Sequence, residues 1–294
     1  MKDILLTRHS ETEQKESSLY HIFSTIEDIA AESYNIVKVA GNPWSKHEQD
    51  AWILENALDV DLLMTTIPAF VQEMRRNGWK GKTIFKALGG FPRGGQAIRE
   101  VLPYLYQSDV IWCNSTADLE IYSLLVSQDG TQPQAVLLPY SVNTNVYTPL
   151  RNIVKRESLR REWGFKAEDF VIIYAGRVTR EKNVHSILEA VHELSRLGYP
   201  VKLVIVGRIE DVPFVEFYMF QTDLEDQIEA LIDSLQISEN VIRPDWQSAD
   251  KLNEFFNAAD AFINLTLHHD ENFGLSQIEA MSAELPVIGT AWGG

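Results

Sequence analysis

The chain has 294 residues, of which 45% are hydrophobic, so it can bury the cores of two ordinary domains. Its formal net charge of -16 at pH 7 repels phosphate backbones and anionic lipid headgroups, which argues against a nucleic-acid partner. Contact with a membrane stays open, but no run of Lys and Arg indicates it.

The cysteine content and the apolar runs restrict the class of protein further. Cys113 is the single cysteine, so the chain has no internal disulfide, and its apolar neighbours predict a buried position on a strand. No stretch reaches the ~20 apolar residues of a membrane-spanning helix, and the N-terminus lacks the hydrophobic region of a signal peptide. We therefore expect a cytoplasmic protein.

In the first half, short apolar runs alternate with longer amphipathic ones, the pattern of an α/β protein with parallel strands. Gly78 after Arg75 and Arg76 is a typical helix stop, because cations favour the negative end of the helix dipole and glycine tolerates a positive φ. The predicted strands are Asp3–Thr7, Tyr34–Ala40, Leu62–Thr65, Thr83–Ala87, Val110–Cys113 and Ala135–Leu138. The predicted helices are Leu19–Ala31, Pro68–Asn77, Gly95–Tyr106 and Ala117–Val126.

A charged segment, Leu150–Glu168, separates the two halves. Charge runs usually lie on a solvated face, so we interpret it as a solvated linker helix, with a basic contact surface as the alternative. The alternation then resumes, with strands at Phe170–Ala175, Lys202–Val206, Asn240–Pro244, Ala261–Leu265 and Pro286–Thr290 and helices at Val184–Leu197, Leu224–Leu235, Ser248–Ala259 and Leu275–Ala283. The sequence thus predicts two Rossmann-like, doubly wound α/β domains, residues 1–150 and 151–294, whose ligands bind at the carboxyl ends of the strands.

The loop after the first strand of the second domain, Gly176–Asn183, contains three cations within six positions. A helix follows it, and helix N-termini bind anions through their backbone N–H groups and the helix dipole. A planar guanidinium beside a lysine point charge suits a diphosphate leaving group that gains negative charge. The alternative is a surface loop in which Glu181 pairs with a neighbouring cation.

The segment before the last helix, Glu271–Met281, combines a tight turn with two carboxylates. Asn272 and Gly274 allow the backbone to approach a ligand closely, and the helix that follows directs its positive end toward the same place. Glu279 lies about one turn into this mostly apolar helix, where a carboxylate suits the paired hydroxyls of a ribose, and Glu271 would bind sugar hydroxyls next to the phosphate. Alternatively, Glu279 is a solvated helix residue and Glu271 a loop charge.

At these residues the sequence resembles the retaining group 1 (family 4) glycosyltransferases, which have the GT-B fold of two Rossmann-like domains. The strongest signature of that family is a pair of glutamates separated by seven residues, here Glu271 and Glu279 in ENFGLSQIEAM, followed by LPVIGTAWGG. The resemblance also includes the segments AGRVTREKN, KLVIVG and AADAFINLT, so it covers residues 165–294 well.

The resemblance implies transfer of a hexose from a nucleotide sugar, most commonly a UDP-sugar in this family, with retention of configuration. The acceptor would be a sugar, a polysaccharide or a glycolipid. Such enzymes usually need neither a metal nor another cofactor, because a cationic clamp holds the diphosphate. The implied site consists of Arg177, Lys182 and the backbone of Phe273, Gly274 and Leu275 on the diphosphate, Glu271 on the reacting sugar, Glu279 on the ribose, and Arg208 and Arg243 near the nucleobase.

The first half resembles the family in outline only, and its catalytic residue is open. The family often has a histidine after about the fourth strand, near the reacting sugar, but the region Lys86–Gly95 contains none. Lys86 and Arg93 in this region, and His9 in the loop after the first strand, are the candidates.

The sequence departs from the family at further positions. Tyr147 stands where a family motif ends in Phe-x-Pro, and Glu284 replaces the glycine that usually precedes Leu-Pro-Val. His268 and His269 are ligand types for metals, but adjacent side chains at a strand end point to opposite sides, so we expect no metal site. The chain also stops soon after the last predicted strand, where the family continues, and we expect a truncated second domain.

Three functions are compatible with this sequence. The complete set of Arg177, Lys182, Glu271 and Glu279 favours a retaining hexosyltransferase. The missing histidine and the early stop favour a catalytically inactive protein that binds a nucleotide sugar or serves as a scaffold. The third function, a sugar-nucleotide epimerase on the same fold, is disfavoured by the glutamate pair.

Overall fold

The structure is a computed structural model that describes residues 2–6, 18–38, 59–88, 93–129, 133–210, 223–267, 271 and 273–292. The candidates His9, His268 and His269 and the side chain of Arg93 lie outside this description. The chain divides into two compact units: the first contains Met1–Ser141, His269–Phe273 and Gly293–Gly294, and the second contains Val142–His268 and Gly274–Trp292. The main division therefore falls between residues 141 and 142, earlier than the predicted boundary at 150.

The first unit is built on a sheet of six strands in the order β2-β1-β3-β4-β5-β6, and all their pairings are parallel. The strands are β1 (Lys2–Leu6), β2 (Tyr34–Lys38), β3 (Leu62–Thr65), β4 (Lys82–Lys86), β5 (Val110–Cys113) and β6 (Gln134–Leu137). The helices are α1 (Ser18–Ala31), α2 (Pro68–Arg76), α3 (Arg93–Val101) and α4 (Thr116–Asp129), with a 3-10 turn at Leu102–Tyr104. The predicted parallel α/β sheet is confirmed.

Burial of the central strands explains why their sequences are continuous apolar runs rather than alternating ones. Leu63, Phe85 and Ile111 lie in the middle of β3, β4 and β5 and are completely buried in one cluster with side chains of the covering helices. Cys113 belongs to the same cluster, so the predicted buried position on a strand is confirmed. Burial raises the pKa of this thiol to about 12.

The end of α2 confirms the predicted helix stop but gives its cations different roles. Gly78 has φ +86°, the left-handed conformation that glycine tolerates. Arg76 is exposed, as expected for a cation at a helix end, whereas Arg75 is buried and donates to the carboxylate of Asp109 at 2.8 Å. Arg75 also donates to the carbonyl oxygens of Trp79 and Gly81 at 3.1 and 2.8 Å. It therefore joins α2 to the sheet instead of facing water.

The second unit is built on five parallel strands in the order β11-β10-β7-β8-β9. The strands are β7 (Phe170–Ala175), β8 (Val201–Val206), β9 (Val241–Ile242), β10 (Ala261–Asn264) and β11 (Val287–Gly289). The helices are α5 (Ile153–Glu162), α6 (Val184–Arg196), α7 (Leu224–Ser234), α8 (Ala249–Ala258) and α9 (Leu275–Ser282), with a 3-10 turn at Arg180–Lys182. Alternate residues of β7 face two different clusters, Ile172 and Tyr174 in one and Val171 and Ile173 in the other, so both faces of the sheet are covered.

The charged segment between the halves forms the predicted helix, α5, and most of its residues are exposed, but it lies inside the second unit and two of its arginines are not solvated. Arg160 is 6% exposed and donates to the carbonyl oxygen of Ala258 at 2.8 Å and to the carboxylate of Asp260 at 3.0 Å. Arg156 binds the other oxygen of Asp260 at 2.8 Å. These two cations are therefore not available to the alternative, a basic contact surface, because they are used inside the second unit.

Glu284 occupies a backbone position that favours glycine, as the comparison with the family motif suggests. It follows α9 with φ +61°, and the Leu285 and Glu284 amides donate to the Ala280 and Met281 carbonyls, the pattern of a Schellman cap. Its carboxylate binds the guanidinium of Arg151 in a bidentate ion pair on the surface. The glutamate therefore combines a strained backbone with an exposed ion pair.

The backbone strain at Glu284 can be measured by comparing two variants that both lose the ion pair. Only Glu284→Gly relieves the strain of the left-handed backbone conformation. We therefore expect the free energy of unfolding of Glu284→Gly to be about 1 kcal/mol higher than that of Glu284→Ala. Hydrogen exchange of α9 peptides in increasing urea measures this difference in the second unit. Equal values for the two variants would show that the position carries no strain.

Candidate functional site

The strand order of the second unit indicates where this type of sheet would bind a ligand. β7 and β10 are neighbours, while β8 and β9 lie on one side and β11 on the other, so the winding of the sheet reverses between β7 and β10. Doubly wound sheets bind ligands outside the carboxyl ends of the strands at this switch point. The segment that leaves β7 is residues 176–183, which the sequence singles out, and the segment that leaves β10 leads into Glu271–Met281, the other predicted part of the site.

Hydrogen bonds hold these two segments together. The Leu267 amide and the Thr266 hydroxyl donate to the Glu181 carbonyl oxygen at 3.2 and 3.3 Å. The Asn183 side-chain amide donates to the Leu265 carbonyl oxygen at 3.1 Å. The cationic loop after β7 is therefore fixed against the end of β10.

Two glycines allow the loop after β7 to lie against the loop after β8. The Gly176 amide donates to the Val206 carbonyl oxygen at 2.9 Å, and the Val178 amide donates to the Arg208 carbonyl oxygen at 2.9 Å. Gly207 has φ +145°, and a Cβ atom built there would lie 2.0 Å from the Gly176 carbonyl oxygen. Only glycine fits at this crossing.

Within this loop the cations point in different directions. Arg177 is 58% exposed at its side chain, and its guanidinium lies 3.3 Å from the Glu210 carboxylate. Arg180 instead donates to the Gln227 side chain at 2.8 Å, on α7. Lys182 ends the 3-10 turn directly before Asn183, whose φ of +56° starts α6. Arg177 and Lys182, the two predicted diphosphate ligands, therefore lie in one loop at the switch point.

The start of α9 has the predicted tight turn. Gly274 precedes the helix with φ +79°, and a Cβ atom there would lie 2.6 Å from the Gln277 side-chain nitrogen. Glycine thus permits the turn that aims the N-terminal end of α9 at the switch point. Leu275 is the first residue of this helix, so Gly274 and Leu275 occupy the place expected of phosphate-binding backbone groups.

Glu279 is buried, which excludes the alternative of a solvated helix residue. It is 9% exposed, and its burial raises the pKa of the carboxyl to about 7. Interaction with the Tyr147 hydroxyl lowers that pKa and so opposes the effect of burial. A single tyrosine therefore favours the ionised form of a carboxyl that its surroundings would keep neutral.

Glu271 and Phe273 group with the first compact unit rather than the second. In that unit the rings of Phe273 and Tyr140 pack edge to face, with centroids 5.3 Å apart. The ammonium group of Lys86 lies 5.7 Å from the Tyr140 ring centroid. The structure thus brings together Phe273, a predicted donor ligand, and Lys86, a predicted catalytic candidate.

Lys86 itself is completely buried at the end of β4. Its ammonium group donates to the Ala87 carbonyl oxygen at 2.6 Å. Burial lowers the pKa of Lys86 to about 8, against the raising effect of the Asp118 carboxylate at the start of α4. A substrate would reach this group only after a rearrangement of the surrounding side chains.

The residues predicted near a nucleobase lie at the carboxyl ends of β8 and β9. Arg208 follows β8, and its carbonyl oxygen accepts from Val178. Arg243 follows β9 and forms an ion pair with Glu229 of α7.

Two contacts of the site were not predicted from the sequence. The first is Glu210, which faces Arg177 across the two neighbouring loops. The second is Tyr147, whose only signal was the replacement of a family phenylalanine. Among the described residues no group of three or more side chains is suited to hold a metal ion. In the same part of the chain, every helix is too short or too polar to cross a membrane.

Comparison with solved structures identifies the class of fold. HepE from Anabaena, solved in complex with UDP and glucose, superposes with a TM-score of 0.73 at 14% identity, covering 100% of this chain and 82% of HepE. WaaG, a glycosyltransferase of lipopolysaccharide biosynthesis, superposes with a TM-score of 0.68 at 17% identity, covering 99% of this chain and 82% of WaaG. The chain has the GT-B fold, as the sequence predicts.

Comparison of sequences relates the second half of the chain to one family. The family model of the group 1 glycosyl transferases matches residues 155–294. A capsular polysaccharide glycosyltransferase, CapM of Staphylococcus aureus, is 30% identical over 125 residues, which are 42% of this chain and 28% of that protein. The α-monoglucosyldiacylglycerol synthase of Acholeplasma laidlawii is 26% identical over 133 residues, 45% of this chain and 29% of that protein. The chain spans less than a third of the length of these two relatives, and its second half is similar to the group 1 glycosyltransferases.

Proposed function

We propose that the chain transfers a hexose from a nucleotide sugar, a UDP-sugar, to a sugar, polysaccharide or glycolipid acceptor with retention of configuration. The observation that carries this proposal is the switch point of the second unit. There, the loop with Arg177 and Lys182 is hydrogen-bonded to the end of β10, and α9 begins directly after Gly274, with the buried Glu279 about one turn into the helix.

This arrangement suits a nucleoside diphosphate group by group. The cations and the N-terminal end of α9 stabilise the negative charge that the diphosphate gains when the bond to the sugar breaks. Because these groups supply the positive charge, the reaction needs no metal ion. Glu279 accepts hydrogen bonds from the ribose hydroxyls, and Glu271 holds the donor sugar. The first unit binds the acceptor, and the nucleobase lies toward Arg208 and Arg243.

Titration of UDP into the protein by calorimetry tests the donor site. We expect Arg177→Ala to weaken the binding of UDP about tenfold to a hundredfold, because a charge-assisted hydrogen bond to a phosphate is lost. Arg180→Ala is the matched control: it removes the same charge from the same loop, but its guanidinium binds Gln227, so the affinity should change by less than about threefold. If the wild type binds none of UDP, GDP and ADP, the assignment of the donor site is wrong.

The second candidate function is binding of a nucleotide sugar without transfer. It is favoured by the burial of Lys86, since the catalytic candidate of the first unit that the structure describes does not reach the surface. Incubation with UDP-glucose distinguishes the two functions. Release of UDP, faster when an acceptor sugar is present, supports the transferase, whereas binding without any UDP release supports the alternative.

A further inference from the structure

Arg177 and Glu210 lie side by side on the second unit, because the loops after β7 and β8 are paired there. Val178 and Ile209 form an isolated parallel bridge, and the Glu210 amide donates to the Val178 carbonyl oxygen at 3.0 Å. The side chains of Val178 and Ile209 pack in one apolar cluster. Since successive side chains of an extended chain point to opposite faces, those of Arg177 and Glu210 are directed away from this cluster.

The two side chains meet in an ion pair at the surface. The guanidinium of Arg177 lies 3.3 Å from a carboxylate oxygen of Glu210, and the side chains are 58% and 35% exposed. Among the residues that the structure describes, Glu210 is the one carboxylate that pairs with this guanidinium. An exposed ion pair contributes little to stability, so another anion can replace the carboxylate. The arginine proposed to bind the donor diphosphate therefore already has a negative partner within the protein.

A diphosphate that binds Arg177 has to displace this carboxylate or share the guanidinium with it. The Glu210 backbone is fixed by its hydrogen bond to Val178, so the carboxylate stays near the loop after β7 in either case. Like charges at short distance repel each other, with an energy proportional to the product of the two charges. Glu210 therefore weakens the binding of every phosphate ligand, and it does so most for the ligand with the largest negative charge.

The donor and the product of the proposed reaction differ in this charge. The terminal phosphate of UDP loses a second proton at about pH 6, whereas in a UDP-sugar the bond to the sugar prevents this ionisation. We propose that Glu210 is a specificity-determining residue of the donor site, which is the counter-ion of Arg177 in the empty site and disfavours UDP more strongly than the UDP-sugar. This inference rests on the proposed function, and it adds to that function a residue that promotes release of the product.

The test compares Glu210→Gln with the wild type for two ligands, UDP and the methyl ester of its terminal phosphate. The ester has the charge of a UDP-sugar, and its use does not depend on which sugar the protein transfers. We expect Glu210→Gln to bind UDP about threefold to tenfold more tightly in calorimetry at about pH 7.5, and to bind the ester with a smaller gain. Because the gain is electrostatic, it should largely disappear in about 1 M salt, where the Debye length is about 3 Å.

Glu193→Gln is the matched control. It removes the same charge from another exposed ion pair of the second unit, in which the carboxylate lies 2.7 Å from Arg196 at the end of α6. Its affinities for both ligands should equal those of the wild type. Thermal unfolding of both variants near the wild-type temperature confirms that they are folded.

The possible results separate this inference from the proposed function. If the wild type binds UDP and Glu210→Gln binds it equally or more weakly, the carboxylate does not oppose the diphosphate, so the inference is overturned and the donor site stands. Equal gains for UDP and its ester, or a gain that persists in high salt, also overturn it, because discrimination by charge is then missing. If the wild type binds neither ligand, the proposed function fails and the inference fails with it.

Discussion

Replacement of Arg75 by methionine is expected to lower the free energy of unfolding of the first unit by about 3–5 kcal/mol, because it leaves a buried charge without its partner. Asp109 is completely buried, and its carboxylate accepts from Arg75 at 2.8 Å and from the Thr83 amide at 2.7 Å. The guanidinium also stacks over the rings of Trp79 and Tyr106, at 4.6 and 4.0 Å from their centroids. Removal of Arg75 therefore leaves Asp109 uncompensated and opens the contact between α2 and the sheet.

Hydrogen exchange of peptides from β4 and β5 in increasing urea measures this loss within the first unit. Arg76→Met is the matched control, since the neighbouring arginine is exposed and its ion pair with Glu73 lies at the surface, so this variant should resemble the wild type. The double variant Arg75→Met/Asp109→Asn should be more stable than the sum of the single changes predicts, because neither charge is then left alone. Equal effects at Arg75 and Arg76 would contradict the role of the buried pair.

Substitution of Gly207 by alanine is expected to lower the free energy of unfolding of the second unit by about 3 kcal/mol or more, because both its backbone conformation and its surroundings exclude a Cβ atom. The atom in the way is the Gly176 carbonyl oxygen, 2.0 Å from the position of the Cβ, and a backbone atom cannot rotate aside as a side chain can. The loop with Arg177 must shift to make room. We therefore expect the binding of UDP to weaken together with stability.

Gly198→Ala separates the two causes of the effect at Gly207. Gly198 also has a positive φ, +88°, but no atom lies within 4 Å of a Cβ built there, so this variant should lose only about 1 kcal/mol and retain UDP binding. Chemical unfolding followed by hydrogen exchange of β7 and β8 gives both values, and calorimetry gives the affinities. Similar losses in the two variants would show that the close approach to Gly176 has no energetic importance.

Most of the fold could be predicted from the sequence, because the buried strands of a parallel sheet have continuous apolar sequences. The predicted bounds of Val110–Cys113 and Phe170–Ala175 agree with the observed strands. Among the strands, the prediction was poorest at β9, expected over Asn240–Pro244 but observed only at Val241–Ile242. Pro244 has no backbone N–H to donate, and an edge strand has a partner on one side only, so the pairing ends early.

Contacts between residues distant in the sequence could not be predicted. Nothing near Arg160 indicates that an aspartate 100 residues later will bind it, so its segment has the same local pattern as a solvated charge run. Arg75 was likewise interpreted as a helix-end cation, because the sequence contains no sign of its buried partner Asp109. In both cases the neighbouring residues predict a solvent-exposed arginine, whereas an ion pair with an aspartate distant in the sequence buries it.

The parts of the candidate site that could be predicted are those in which a single segment contains the characteristic residues. The cations of 176–183 and the turn before α9 were found from residue types and spacing alone, and the strand order places both at one switch point. The effect of Tyr147 on the pKa of Glu279 could not be predicted, because the two residues lie more than a hundred positions apart and a tyrosine in an apolar motif is typical of a core residue.

The contacts that hold α5 within the second unit also determine where this chain can be joined to a relative in a chimaera. Arg156 and Arg160 hold this helix to Asp260, and Tyr147 lies in the same compact unit, which begins at Val142. A chimaera joined after residue 162 would combine a helix from one parent with the aspartate of another, and a mismatch there would leave a half-buried carboxylate without its two arginines. A join between Ser141 and Val142 keeps these partners from one parent, so it is the natural recombination point of this chain.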